Sequence, residues 1–188
     1  MASREKSSLA ASKAMPPTPM LARGSAAPPG EALCMLTSLE DVRIAARRAA
    51  ASAQRLMSIY TADLEPEVYD QPAFLEIVKR FVLGRSFAKV RVLLHEPLRL
   101  IGNTNRFIAM SRRLTSYIEL RTAAPEFRNR RGAMLIADDR AIVYRTRADT
   151  WEGIAGFNQP PIARLHLQEF DEIWTGSAPE QELRSAHR

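Results

Sequence analysis

The sequence predicts an α/β domain built on a mostly parallel sheet, with helices on both faces and a C-terminal hairpin. Two observations carry this. From about residue 38 onward, short apolar runs of strand length alternate with segments of helical periodicity. That order favours right-handed strand–helix–strand crossovers in one sheet. Later, "AMLIA" and "AIVYR" form two apolar runs joined only at Asp138-Asp139-Arg140, which reads as a hairpin added at the sheet's edge.

The elements follow in order. Ser38-Leu39-Glu40-Asp41 has the spacing of a capping box and opens a helix through "DVRIAARRAAASAQR", with Leu39, Val42, Ala46 and Ala49 on one face. "RLMSIYT" is the first strand. The turn-rich "DLEPEVYDQPAF" leads into a second helix, where Asp70 is the expected cap, Phe74, Ile77, Val78 and Phe81 recur at helical spacing, and Gly84 ends the run. "KVRVLL" (89–94) is a buried strand, "NRFIAMSRRL" a third helix and "YIELRT" (117–122) a third strand. After the hairpin, "PPIARLHLQEFDEIW" closes the domain as an amphipathic helix with proline in its first turn.

The domain so defined spans 37–176. Residues 1–36 carry five prolines among serine and alanine with no sustained apolar period, which predicts a disordered leader. Residues 177–188 are expected to form a flexible tail. The chain has 188 residues, 46% of them hydrophobic, and one cysteine, Cys34, which excludes an internal disulfide framework and a multi-cysteine metal site. No apolar run reaches the roughly 20 residues of a membrane span. A cytoplasmic protein without membrane insertion is expected.

The formal net charge is +6, and the cations are mostly arginine, with lysine only at Lys6, Lys13, Lys79 and Lys89. Guanidinium groups pair bidentately with phosphate, so phosphate or nucleic acid is one class of partner; an arginine-rich composition without function is the other reading. "GRSFAK" at 84–89 has one glycine and no Gly-Lys-Ser/Thr, so no P-loop is present. His95, His166 and His187 are scattered, and neither a metal constellation nor a nucleophile–base pairing is visible. No cofactor is expected.

The stretch "PEFRNRRGAMLIADDRAIVYR" carries a resemblance. With "RGAMLIAD" followed by "AIVY" and, later, "FDEIW", residues 38–176 resemble one half of the phospholipase D-like superfamily. That superfamily's strand carries His-x-Lys-x4-Asp. Setting its aspartate on Asp138 places Ala133 at the lysine and Arg131 at the histidine; setting it on Asp139 gives Met134 and Gly132. Either way the nucleophilic histidine and the phosphate-neutralising lysine are missing, which implies a degenerate, non-catalytic centre. Arginine at 131 could hold phosphate but, permanently protonated, cannot act as nucleophile or base. The superfamily works as paired halves, so a homodimer is implied. The chain is also similar to an uncharacterised bacterial domain found alone or behind acetyltransferase domains, on "IYTADLEPEVYD", "VRVLL", "IELR" and "FDEIW".

Arg121, Arg128, Arg130, Arg131, Arg145 and Arg147 would gather around the third strand and the hairpin. They form an anion-binding face in one reading and a solvated, ion-paired face in the other. Tyr60 and Asp63 follow the first strand and His95 the second, so all three are cleft candidates at the edge where α/β sheets take ligands. Three functions remain open: a module binding an anionic partner such as nucleic acid; a protein-interaction domain associated with an acetyltransferase; and an enzyme of altered chemistry using Asp138, Asp63 and His95 together.

Overall fold

A computed structural model describes residues 32–100 and 105–179. The leader expected to be disordered lies outside these residues up to 31, as does the tail from 180 onward, including His187. Among the described residues, eight strands form one sheet in the order β1-β7-β6-β5-β2-β3-β4-β8: β1 (Cys34–Leu36), β2 (Leu56–Thr61), β3 (Lys89–Leu94), β4 (Ile118–Thr122), β5 (Ala133–Ala137), β6 (Ala141–Arg145), β7 (Gly153–Gly156) and β8 (Ala178–Pro179). The helices are α1 (Leu39–Ser52), α2 (Pro66–Tyr69), α3 (Pro72–Leu83), α4 (Arg106–Arg113) and α5 (Pro160–Gly176).

The expected α/β architecture is present, but the sheet is mixed rather than mostly parallel. Only β2–β3 and β3–β4 pair in parallel; the other five pairings are antiparallel. The chain leaves β4 at the carboxyl edge of the parallel strands, and the link 123–132 stays at that edge. β5 must therefore start there and run back beside β2, with Met134 opposite Tyr60 and Ala137 opposite Met57. This return path hangs Arg128 to Arg131 over the carboxyl ends of β2 and β3.

Both faces of the sheet are covered. Met57, Ile59, Val90, Val92 and Leu135 pack under α1, α3 and α4 in the larger core, while Tyr60, Leu93, Met134, Ile136 and Ile142 pack against Phe170 and Ile173 of α5. Successive strand residues alternate between the two cores because side chains alternate across a sheet. The Phe170–Trp174 pair stacks with ring centroids 5.8 Å apart and carries the guanidinium of Arg91, which also pairs with Asp171 at 2.8 Å.

Local signals account for several boundaries. Ser38 caps α1 by accepting from the Asp41 N–H (3.2 Å), and Asp41 accepts from the Ser38 N–H (3.0 Å), completing the capping box. Those hydrogen bonds, the Thr37 backbone first among them, hold the Asp41 carboxyl below the usual range. The domain starts earlier than expected, because Cys34–Leu36 pairs antiparallel with β7 and buries Leu36. Ala178–Pro179, assigned to the tail, pairs with β4. Asp70 does not cap α3. Its carboxylate instead accepts from the Arg106 backbone N–H (3.0 Å) and Nε–H (3.1 Å), tying the start of α4 to the α2–α3 turn, while Gln71 occupies the α3 N-cap. Among the described residues no helix is long and apolar enough to cross a membrane.

Candidate functional site

At the carboxyl ends of β2 and β3 lies a cleft of about 580 Å³, within the usual size of ligand pockets. Four segments build it. The β2–α2 turn with the start of α2 contributes Asp63, Glu65 and Glu67; the segment after β3 contributes His95, Glu96 and Arg99. The link before β5 contributes Arg128, Asn129 and Arg131, and the β6–β7 loop contributes Asp149 and Trp151.

The six arginines expected to gather do not act together. Arg128 and Arg131 line the cleft. Arg128 donates through Nε to the Ala123 carbonyl (3.1 Å), and the Arg131 guanidinium has no hydrogen-bond or ion-pair partner among the described residues, although its charge helps hold the Asp149 carboxyl low. Arg130 turns away, its guanidinium 5.7 Å from the Phe127 ring. Arg121 is committed to α5: it pairs with Glu119 (2.8 Å), donates to the Trp174 and Ser177 carbonyls and lies 4.3 Å over the Trp174 ring. Arg147 pairs with Asp149 (2.9 Å from its Nε) at the exposed rim.

Arg145 is interior, at 2% exposure, and is no surface anion site. It pairs with Glu65, itself 6% exposed, donates to the Ala148 and Thr150 carbonyls and packs against Trp151. Glu65 is also bonded by the Thr61 hydroxyl (3.2 Å). Burial pushes the Glu65 carboxyl upward, and Arg145 opposes it. Glycine at 153 makes room for this pair, since a Cβ there would come 2.6 Å from the Arg145 side chain and 2.3 Å from the Tyr144 carbonyl. The pair fixes the β2–α2 turn, where Leu64 sits at φ 60, a conformation uncommon for a non-glycine residue.

The degenerate motif positions separate. Arg131 lies two residues before β5, at the cleft, and Ala133 is buried in the ladder opposite Arg145. Asp138 is at the other end of β5, outside the cleft. With φ 54, its carboxylate accepts from the backbone N–H groups of Gln54 (2.9 Å), Arg55 (2.8 Å) and Leu56 (3.0 Å), closing the turn between α1 and β2. The expected convergence of Asp138 with Asp63 and His95 is therefore absent, because the length of β5 lies between them.

The three cleft candidates take different roles. Asp63 lines the cleft, accepts from the Glu65 N–H (3.1 Å) as a turn residue and faces Arg99 at 3.8 Å. Tyr60 lies beneath it: buried, its hydroxyl donates to the carbonyls of Arg130 (2.9 Å) and Phe127 (3.3 Å) and so braces the arginine-bearing link. Desolvation raises its pKa to about 12, so it stays a donor. His95 lines the cleft at 4% exposure, stacked on Tyr60 with centroids 5.1 Å apart, and neither ring nitrogen has a hydrogen-bond partner. Burial lowers its pKa; Glu96, the backbone at Gly132 and Asp63 push the other way, although that backbone is not aligned for a hydrogen bond. Glu65, Glu67, Arg99, Asn129 and Trp151 escaped the sequence reading as site residues, although Glu65, Glu67 and Asn129 lie within stretches that carry the resemblances. Among the described residues no group of His, Cys, Asp or Glu is placed to hold a metal ion.

Known proteins share this fold. The structure is similar to Nuc from Salmonella typhimurium, a phospholipase D family member (TM-score 0.55, 15% identity), covering 80% of this chain and 98% of that one. It is also similar to NucT from Helicobacter pylori (TM-score 0.55, 12% identity; 79% and 99% covered). A third similar structure is TrmBL2, an archaeal chromatin protein with a novel mode of DNA binding (TM-score 0.57, 16% identity), where the match covers 83% of this chain but only 56% of that protein. No curated protein matches the sequence. The fold is phospholipase D-like, as the residues around β5 imply. Residues 38–186 match the model of a domain of unknown function, DUF7931, and the chain belongs to that family.

Proposed function

We propose that this domain is a non-catalytic phospholipase D-like module that binds a phosphate-bearing partner, free phosphate or a nucleic-acid backbone, in the cleft at the start of β5. One observation carries the reading: Arg131, at the position of the lost histidine, lines the cleft beside Arg128 and Asn129 with its guanidinium uncommitted. Arginines without carboxylate hydrogen bonds in a concave cleft are suited to bidentate phosphate contacts. The likeness to an archaeal chromatin protein that binds DNA supports an anionic partner of this kind. The absence of catalysis rests on chemistry: arginine and alanine at 131 and 133 supply neither a nucleophile nor a transferable proton. Pairing of two copies, as in the superfamily, and a cytoplasmic setting belong to the same proposal.

Calorimetric titration with inorganic phosphate, and anisotropy of a labelled single-stranded oligonucleotide at two salt concentrations, test it. The expected result is binding to at least one of them that the Arg128→Ala/Arg131→Ala double variant abolishes. For the oligonucleotide, log K should also fall linearly with log salt. Failure of both ligands, or indifference to the double variant, would refute the reading. Light scattering after size exclusion tests the dimer.

A further inference from the structure

Resting on the reading just given, we infer that the cleft takes a small soluble ligand carrying one phosphate group and one ammonium group, rather than a polyanion. Two of its segments carry a single sign of charge: the β2–α2 turn with α2 contributes acids, and the link before β5 cations and an amide. Most of these charges are already matched within the protein: Glu65 by Arg145, Asp63 and Glu96 by Arg99, and Asp149 by Arg147. Two remain open among the described residues. One is the Arg131 guanidinium, which makes no hydrogen bond or close ion pair and acts on Asp149 at longer range, with Arg128 lining the cleft beside it; the other is the Glu67 carboxylate. The same cleft thus offers one cationic and one anionic docking point.

His95 independently points to a ligand. Its ring is 4% exposed, yet both nitrogens lack a partner while the residue lines the cleft. Buried polar groups are normally hydrogen-bonded, and the exceptions concentrate where a bound molecule completes the set. A phosphate oxygen or hydroxyl held by Arg131 would reach that neighbourhood. A nucleic-acid strand fits poorly, because its successive phosphates would run onto Asp63, Glu67 and Glu96, and like charges at close range repel. A single phosphate avoids them, and an ammonium group turns Glu67 from a repulsive neighbour into a partner.

The test uses the full chain and three calorimetric titrants: inorganic phosphate, ethyl phosphate and O-phosphoethanolamine, the last two differing by the amine. O-phosphoethanolamine should bind about fivefold more tightly than ethyl phosphate. Glu67→Gln should erase that advantage, bringing the two esters to equal affinity, and Arg131→Ala should weaken all three. Equal affinity for the two esters, or an advantage that survives Glu67→Gln, would overturn the inference while phosphate binding still upheld the broader proposal. If none of the three binds, the inference falls, and the broader proposal falls with it only if the oligonucleotide also fails to bind. Vesicles of phosphatidylethanolamine separate the lipid head group from the soluble source: cosedimentation without binding of the soluble compound would overturn the assignment.

Discussion

The two ends of β5 are treated differently by the rest of the fold. At its carboxyl end, Asp138 spends its carboxylate on three backbone N–H groups and holds the turn that starts β2. At its amino end, the Arg131 guanidinium makes no hydrogen bond or close ion pair among the described residues, acting on Asp149 at longer range, and neither ring nitrogen of the neighbouring His95 has a hydrogen-bond partner. Both ends belong to the stretch that resembles the superfamily's motif, yet one is satisfied and the other open. Satisfied polar groups serve the fold, and open ones at a concave edge await something else.

The contrast is sharpest at the boundary between the two roles, the Glu65–Arg145 pair. Glu65→Ala leaves a buried guanidinium unpaired, so a loss of about 3–5 kcal/mol is expected in urea unfolding. Retention of wild-type stability would mean that the pair does not hold the cleft's floor. Asp138→Ala removes the acceptor for three N–H groups at a partly exposed turn; about 2 kcal/mol should be lost with phosphate affinity unchanged. A parallel loss of binding would break the division between the ends. Arg131→Ala should do the reverse: phosphate affinity falls about tenfold, roughly 1.4 kcal/mol, while unfolding shifts by less than about 0.5 kcal/mol.

The smallest effect is on pH dependence. His95 titrates below its ordinary value because it is buried, with Glu96, Asp63 and Arg99 facing it. An unfolded histidine titrates near 6.5, so just below that pH the unfolded chain holds more protons and stability falls as pH falls. His95→Gln should flatten the thermal-midpoint profile between about pH 5 and 7. An unchanged slope would place the acid sensitivity elsewhere.

How much of this the sequence carried depends on the range of each interaction. The capping box at Ser38 is local, and β3 occupies 89–94 as its apolar run implies. Gly153–Gly156 is β7, but glycine has poor strand propensity and the run is short, so the strand exists through its pairing with β6 and β1. The direction of β5 depends on where the link 123–132 crosses, which no periodicity encodes. The cleft was legible where a motif marked it, at Arg131, and where strand ends marked it, at Asp63 and His95. Glu65 and Arg145 are 80 positions apart, and only the assembled sheet brings their charges together in the interior. Asp138 was misread because strand β5 carries the motif's two ends to opposite edges of the sheet.

The most direct test of this account is a titration of the ¹⁵N-labelled full chain with inorganic phosphate, followed by amide chemical shifts. The account predicts saturable shifts confined to Asn129, Arg131, Gly132 and His95, with Gln54, Arg55 and Leu56 around Asp138 unmoved. Shifts spread over the basic surface, centred on the Asp138 end, or absent altogether would contradict it.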